Sequence, residues 1–242
     1  MKDQNVIALY DSPQSADIVL PWARHFADYL NHKGIVEMRL SADTDIAVLP
    51  LSHNAILAVT AVDPLAPRSS VTHPRSLLRL FKTCKTAYLC VNKHTTPETQ
   101  HTTLNTTLTL THRREGKEKL VWASYLARFL GSSITIAHPD YRDPGLRQLL
   151  HNNIRFVDKI FRPLNLNYSA ITLKTNHITQ NTDITALEQL HPSLLISRTS
   201  DPRDRDLLDL LSPLPELLLL RHPSHTPILF LNPRDDLYIL CD

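Results

Sequence analysis

The sequence predicts an α/β protein of two doubly wound parallel-sheet domains in tandem, the first truncated. A duplicated helix pattern, a regular alternation of apolar runs with helix-period stretches, and a scarcity of glycine carry that reading. LPWARHFADYL (Leu20 to Leu30) aligns with LVWASYLARFL (Leu120 to Leu130) at an offset of 100, identical at five of eleven positions. Trp22 and Trp122 head apolar positions recurring at helical spacing. Asn5 to Tyr10 and Thr107 to Thr111 are strand-like runs before these helices. Gly34 and Gly131 read as helix stops, and Ile35 to Leu40 and Ser133 to His138 are the strand-like runs after them. A β-α-β unit therefore occurs twice, the pattern of an internal duplication.

The remaining elements follow in order. In the first half, Ile46 to Leu51 reads as the next strand, with no room for a helix and strand before it. Leu77 to Phe81 is helix-like and Ala87 to Val91 is a strand. A polar, threonine-rich stretch then separates a first domain, 1–95, by a linker, 96–106, from a second, 107–242. In the second half, Leu146, Leu149, Leu150, Ile154, Val157, Phe161 and Leu164 form a helical stripe closed near Pro163. Ala170 to Leu173 is a strand, Ile184 to Leu190 a short helix and Leu194 to Ile196 a strand. Leu207 to Leu220 is helical, interrupted by Pro213 and Pro215, and Ile228 to Leu231 is a buried strand.

Composition excludes several classes of function. Apolar content of 42% and charged content of 21% are those of a globular chain. The net charge is +2, with basic and acidic residues interspersed, so no nucleic-acid partner is expected. No apolar run, Leu217 to Leu220 included, exceeds five residues, far short of the ~20 that cross a bilayer, so no membrane is expected. MKDQNVIALYDS does not read as a signal peptide, and the protein is placed in the cytoplasm. Cys84, Cys90 and Cys241 show no metal spacing and read as reduced core residues. Four glycines in 242 residues remove most loops in which bare backbone wraps a phosphate.

PELLLLRHPSHTPILFLNP (Pro215 to Pro233) resembles the closing helix, loop and final strand of universal stress protein domains. SLLISRTSD resembles the preceding family strand, WASYLARFLGSSITIAH the first helix and second strand, and FKTCKTAYLCVN the closing elements of the first copy. The resemblance implies a tandem universal stress protein, built of adenine-nucleotide-α-hydrolase-like domains, acting in stress response through protein contacts and without catalysis. Family members that bind ATP carry an aspartate after the first strand, which Asp11 in LYDSPQS matches, whereas the second copy has His112. They also carry two glycines three apart after the fourth strand and a third before Ser or Thr. Neither Arg198 to Ser212 nor Ser52 to Ser76 contains a glycine. Side chains would then stand in the triphosphate path, so the resemblance implies a degenerate member that does not hold ATP in the family manner, with no cofactor. It also implies pairing of the final strands, Ala87 to Val91 with Ile228 to Leu231, within the chain, and is compatible with a homodimer.

Candidate ligand residues cluster at loops expected on the C-terminal sheet edge. In the second copy these are Arg113 and Arg114 after the first strand, and Arg198, Arg203 and Arg205 after the fourth. Five guanidinium groups suit a phosphate or carboxylate, while the interleaved Asp201, Asp204 and Asp206 suit ion pairing on a solvated face. In the first copy Asp11, Ser12 and His53 are expected together, a Ser-His-Asp set without a nucleophile elbow or oxyanion loop, so catalysis is not expected. His222-x-x-His225 has the nearest thing to ligand spacing, but no acidic or cysteine partner is near in sequence, and no metal is expected. Trp22 and Trp122 read as core or interface anchors.

Overall fold

The computed structural model describes residues 5–30, 34–40, 55–83, 86–97, 104–112, 117–173, 184–199, 215–222 and 226–232. The first elements are β1 (Asn5–Tyr10), α1 (Pro13–Tyr29), β2 (Ile35–Arg39), β3 (Ala55–Ala61), α2 (Pro74–Thr83) and β4 (Ala87–Val91). Then come β5 (Asn105–Thr109), α3 (Lys117–Leu130), β6 (Ser133–Pro139), α4 (Pro144–Phe161) and β7 (Tyr168–Leu173). The last are α5 (Ile184–Glu188), β8 (Leu194–Arg198), α6 (Pro215–Arg221) and β9 (Ile228–Leu231). The chain divides into two compact units, one of residues 1–100 and 199–232, the other of residues 101–198 and 233–242.

In the first unit β1 lies between β2 and β3, and β4 flanks β3, all parallel. Val6, Ile7, Ala8 and Leu9 of β1 are buried, as expected of a parallel strand covered on both faces. Ser12 caps α1 and Pro13 opens it, the usual start of a helix. Val19, Trp22, Ala23, Phe26 and Ala27 form its buried stripe. β9 pairs with β4 antiparallel, Tyr88 opposite Phe230, Leu89 opposite Leu229 and Cys90 opposite Ile228. Phe81 of α2 stacks on both strands, its ring centroid 4.7 Å from Tyr88 and 5.1 Å from Phe230. Asn232, just past β9, donates from Nδ2 to the Thr86 carbonyl at 3.0 Å and ties the end of β9 to the start of β4. Cys90 is a buried free thiol, and burial pushes its pKa well above the ordinary range.

In the second unit β5 is central, with β6 and then β7 on one side and β8 on the other, all parallel. α3 buries Leu120, Ala123 and Leu126. It ends at Gly131, whose φ of +62° is the left-handed conformation of a helix stop. Asp143 caps α4, which buries Leu150, Val157 and Phe161 and gives way to a single turn of tighter helix over Arg162–Leu164. Leu149 and Leu164, read as core from their spacing, are 48% and 37% exposed.

Further expectations compare with the structure as follows. The strand after β2 that pairs with β1 is Ala55–Ala61; the run Ile46 to Leu51 lies outside the described residues. Gly34 does not stop α1, which is capped at Leu30; a Cβ on Gly34 would lie 2.8 Å from Asn5 Oδ1, so the missing side chain makes room for that carboxamide. Trp22 is core, but Trp122 is only half-buried. α6 begins at Pro215, and the earlier part of the helix expected from Leu207 lies outside the described residues. β5 begins at Asn105, inside the stretch read as linker.

Two stability results follow. Gly131→Ala, forced into a left-handed conformation, should lower the unfolding free energy by about 1 kcal/mol in denaturant titration. Phe230→Ala, which opens the Phe81–Tyr88–Phe230 cluster, should cost about 3–5 kcal/mol in the same measurement.

Candidate functional site

In the first unit the chain leaves β1 through α1 to β2 on one side, and β3 lies on the other side of β1. The order reverses there, and the crevice beyond the C-terminal ends of β1 and β3 is where an open α/β sheet receives ligands. Two segments line it: Asp11–Ser15 after β1, and the loop from Val62 to His73 after β3.

Asp11 sits at the centre, and both carboxylate oxygens are engaged by hydroxyls of the chain. Ser70 Oγ donates to Oδ2 at 2.6 Å, and Ser15 Oγ lies 3.0 Å from Oδ1. An ionised carboxylate only accepts, so Ser70 gives it its single proton. Thr72 Oγ1, 2.7 Å from Ser70 Oγ, must then be the donor of that pair. The result is a directed relay, Thr72 to Ser70 to Asp11, ending in a short charge-assisted bond. Burial works to raise the Asp11 pKa, but the hydroxyls of Ser70, Ser15 and Ser12 and its own backbone outweigh it, and the net shift is downward.

Many backbone donors around the crevice are also bonded within the chain. At the start of α1, Ser15 N donates to Ser12 Oγ at 3.2 Å, while Asp11 N and Ser12 N donate to Ser15 Oγ at 3.1 and 3.0 Å. Along the loop, Val62 N reaches Val91 O at 2.7 Å and Asp63 N reaches Thr72 O at 3.0 Å. Leu65 N reaches Asp63 Oδ1 at 2.9 Å, and Ala66 N reaches Asp63 O at 3.1 Å. Ser70 N, Thr72 N and His73 N bond to Pro67 O, Ser70 Oγ and Ser70 O at 2.9, 3.2 and 3.3 Å. Pro64 and Pro67 have no N–H to offer. Every residue of this loop carries a Cβ.

His73 closes the loop at the head of α2. Its Nδ1 accepts from Arg75 N at 3.2 Å, which places the proton of the neutral ring on Nε2. Burial, followed by the Arg68, Arg75 and Arg221 guanidinium groups, pushes its pKa below the ordinary value.

The second unit has its own reversal point, between β5 and β8. His112, where the first copy has Asp11, has Nδ1 2.8 Å from Tyr141 Oη, and Asn153 Nδ2 donates to Thr111 O at 2.7 Å. Lys119 of α3, 6% exposed, donates from Nζ to the Thr109 carbonyl at the end of β5 at 2.7 Å. Arg198 ends β8 and is 9% exposed.

Of the residues singled out from sequence, the structure brings Asp11 and Ser12 together and places Arg198 at the second sheet edge. His53, Arg113, Arg114, Arg203 and Arg205 lie outside the described residues. Sequence reasoning missed Ser15, Ser70, Thr72, His73, Lys119 and Tyr141. Ser12-Pro-Gln-Ser15, a serine pair at capping-box spacing before a helix, was the one legible signal among them. Among the described residues no cluster of His, Cys, Asp and Glu is placed to hold a metal ion, and no helix is long and apolar enough to cross a membrane.

No protein-family model and no curated protein matches the sequence. Solved structures do. A universal stress protein from Archaeoglobus fulgidus DSM 4304 superposes with a TM-score of 0.55 at 11% identity, over 90% of this chain and 76% of that one. A protein of Pseudomonas aeruginosa UCBPP-PA14 carrying the universal stress protein designation gives 0.50 at 12% identity, over 98% and 85%. The cytoplasmic domain of a prokaryotic cation chloride cotransporter gives 0.55 at 12% identity, over 96% and 86%. The chain has the α/β fold of these proteins.

The acid limb of stability reads out both titrating groups. His73 has a folded pKa below its unfolded value of 6.5, so the unfolded chain binds more protons between the two; its contribution is complete above 6.5 and falls away as pH drops through that window. Asp11 contributes above its unfolded 3.8 and is lost as pH falls further, through its lower folded value. Denaturant titration against pH should show both steps, with His73→Asn removing the first and Asp11→Asn the second. Ser70→Ala should cost about 1.5 kcal/mol at neutral pH, the low end for a bond to a charged group because Asp11 is only part-buried.

Proposed function

We propose that this chain is a degenerate universal-stress-type protein, a non-catalytic cytoplasmic module that acts in stress response through protein contacts rather than by holding ATP in the family manner. One observation carries the reading: many of the backbone donors in the loop from Val62 to His73 and at the start of α1 are already bonded within the chain. A phosphate cradle needs several unspent amides aimed at one point, and glycine so that the anion can approach them. This loop has no glycine and many of its amides are bonded within the chain, which supports the reading that ATP is not held in the family manner. The aspartate matching the family's ligand contact instead anchors Ser70. The fold supports a regulatory role, since it serves both universal stress proteins and the cytoplasmic domain of a transporter. We extend the pairing of β4 with β9 to a pairing of two duplicated halves, which leaves a homodimer open.

A second reading, capture of a small anion at the second unit's sheet edge, is favoured by Lys119 and Arg198, two cations under a tenth exposed at the ends of β5 and β8.

Thermal unfolding with millimolar ATP or ADP, with and without magnesium, tests the first reading. A nucleotide at 100 times its dissociation constant adds ~2.7 kcal/mol. No shift and no ATP turnover are expected; a saturable shift or turnover lost in Asp11→Ala overturns the proposal. A phosphate-dependent shift lost in Arg198→Ala would establish the second reading instead.

A further inference from the structure

We infer that Arg68, Arg75 and Arg221, with the Nε2–H of His73, form a site at the head of α2 for a phosphate group, free or in a small monoester. The three guanidinium groups come from three parts of the first unit. Arg68 lies in the loop after β3, Arg75 in the first turn of α2, and Arg221 in the last turn of α6, which packs on α2. Local bonds fix the arrangement. Ser76 Oγ donates to the Arg68 carbonyl at 3.2 Å and ties that residue to the first turn of the helix. Arg75 N donates to His73 Nδ1 at 3.2 Å, while Ser76 N and Leu77 N donate to the His73 carbonyl at 2.9 and 3.1 Å. His73 therefore caps α2 with its ring and its backbone together.

Two observations point to a ligand. The His73 ring is held by Nδ1 and is 9% exposed, and its Nε2–H has no acceptor among the described residues. A donor on a buried ring favours an acceptor, and an anionic oxygen is a stronger one than water. The charge distribution is the second. Arg68, Arg75 and Arg221 are exposed, all three act on His73, and no carboxylate offsets them there. Like charges gathered without a counter-charge repel one another and hold the ring neutral. A bound anion removes that repulsion and accepts from all four side chains.

The class of ligand follows from shape and charge. Each guanidinium presents paired N–H donors that match two oxygens at once, and a tetrahedral phosphate has oxygens for several such forks. Three positive charges favour a doubly charged group over a singly charged one, and the neutral imidazole adds a directed donor without adding charge. Such a site is made of side chains, so it does not call for the bare backbone that the loop after β3 lacks. It belongs to the first unit, whereas Lys119 and Arg198 belong to the second.

Proton NMR of the His73 ring tests the site in the full chain, the resonance being assigned by its loss in His73→Asn. At pH 7.5 and constant ionic strength, which removes general screening, inorganic phosphate should shift that resonance saturably. Arg68→Gln, Arg75→Gln and Arg221→Gln, with far-UV circular dichroism confirming each fold, should each weaken the binding about tenfold. Arg147→Gln, in the second unit, should leave it unchanged. The same titration with glycerol phosphate separates the sources: an equal response assigns a monoester site, and a response to inorganic phosphate alone assigns the free ion. A nucleotide effect lost in Arg221→Gln belongs to this site and not to the crevice beside Asp11. A His73 resonance that phosphate does not move, or that moves equally in all three arginine variants, overturns the inference. Phosphate binding that is lost in Arg198→Ala and leaves the His73 resonance unmoved also overturns it, in favour of the second unit.

Discussion

The first unit depends on three residue pairs, Tyr88–Phe230, Leu89–Leu229 and Cys90–Ile228, that join β4 to β9. Every other described pairing is parallel and links strands within one half of the chain. This one is antiparallel and brings residues from the end of the sequence beside β4. All five residues of β4 are buried, and so are all four of β9. The Phe81 ring packs against Tyr88 and Phe230 together, so the cluster needs both strands to form. An open β4 edge would present bare N–H and C=O groups beside exclusively apolar side chains, an invitation to mispairing.

In the crevice of the same unit the chain's own groups meet at the sheet's C-terminal edge. The reversal of strand order still creates a cleft, because that follows from topology alone. What the sequence changes is who occupies the donors and acceptors at its mouth. Serine hydroxyls satisfy Asp11, and prolines with a self-bonded turn satisfy or remove many of the loop amides. Polar groups satisfied in this way hold the loop in one conformation, and a ligand would have to break those bonds before making its own.

Much of the fold was legible in the sequence. The two β-α-β units were visible because burial on both faces gives continuous apolar runs, and because the helix stripes recur with their tryptophans. The third strand was not. DIAVLPL and AILAVTA are adjacent apolar runs of similar character, and only the pairing of Ala55–Ala61 with β1 separates them. Gly34 misled for a related reason: a glycine serves equally as a helix stop or as space for a neighbour, and here the neighbour, Asn5, lies far off in sequence. The matching tryptophans hid a difference too, since burial depends on what crosses the helix as well as on its own stripe. At the site, Asp11 and Ser12 could be named because they border a strand end. Ser70 could not, because its partner lies 59 residues away and no motif links them.

The join between β4 and β9 also has a consequence in time. The ribosome completes Val91 well before it reaches Ile228, 228 − 91 = 137 residues later. At about 5–20 residues per second, AYLCV waits roughly 7–27 s for its partner. During that interval the nascent chain carries an apolar strand with one edge unclaimed, and its safe delivery depends on translation speed and on whatever shelters the strand until the last stretch emerges.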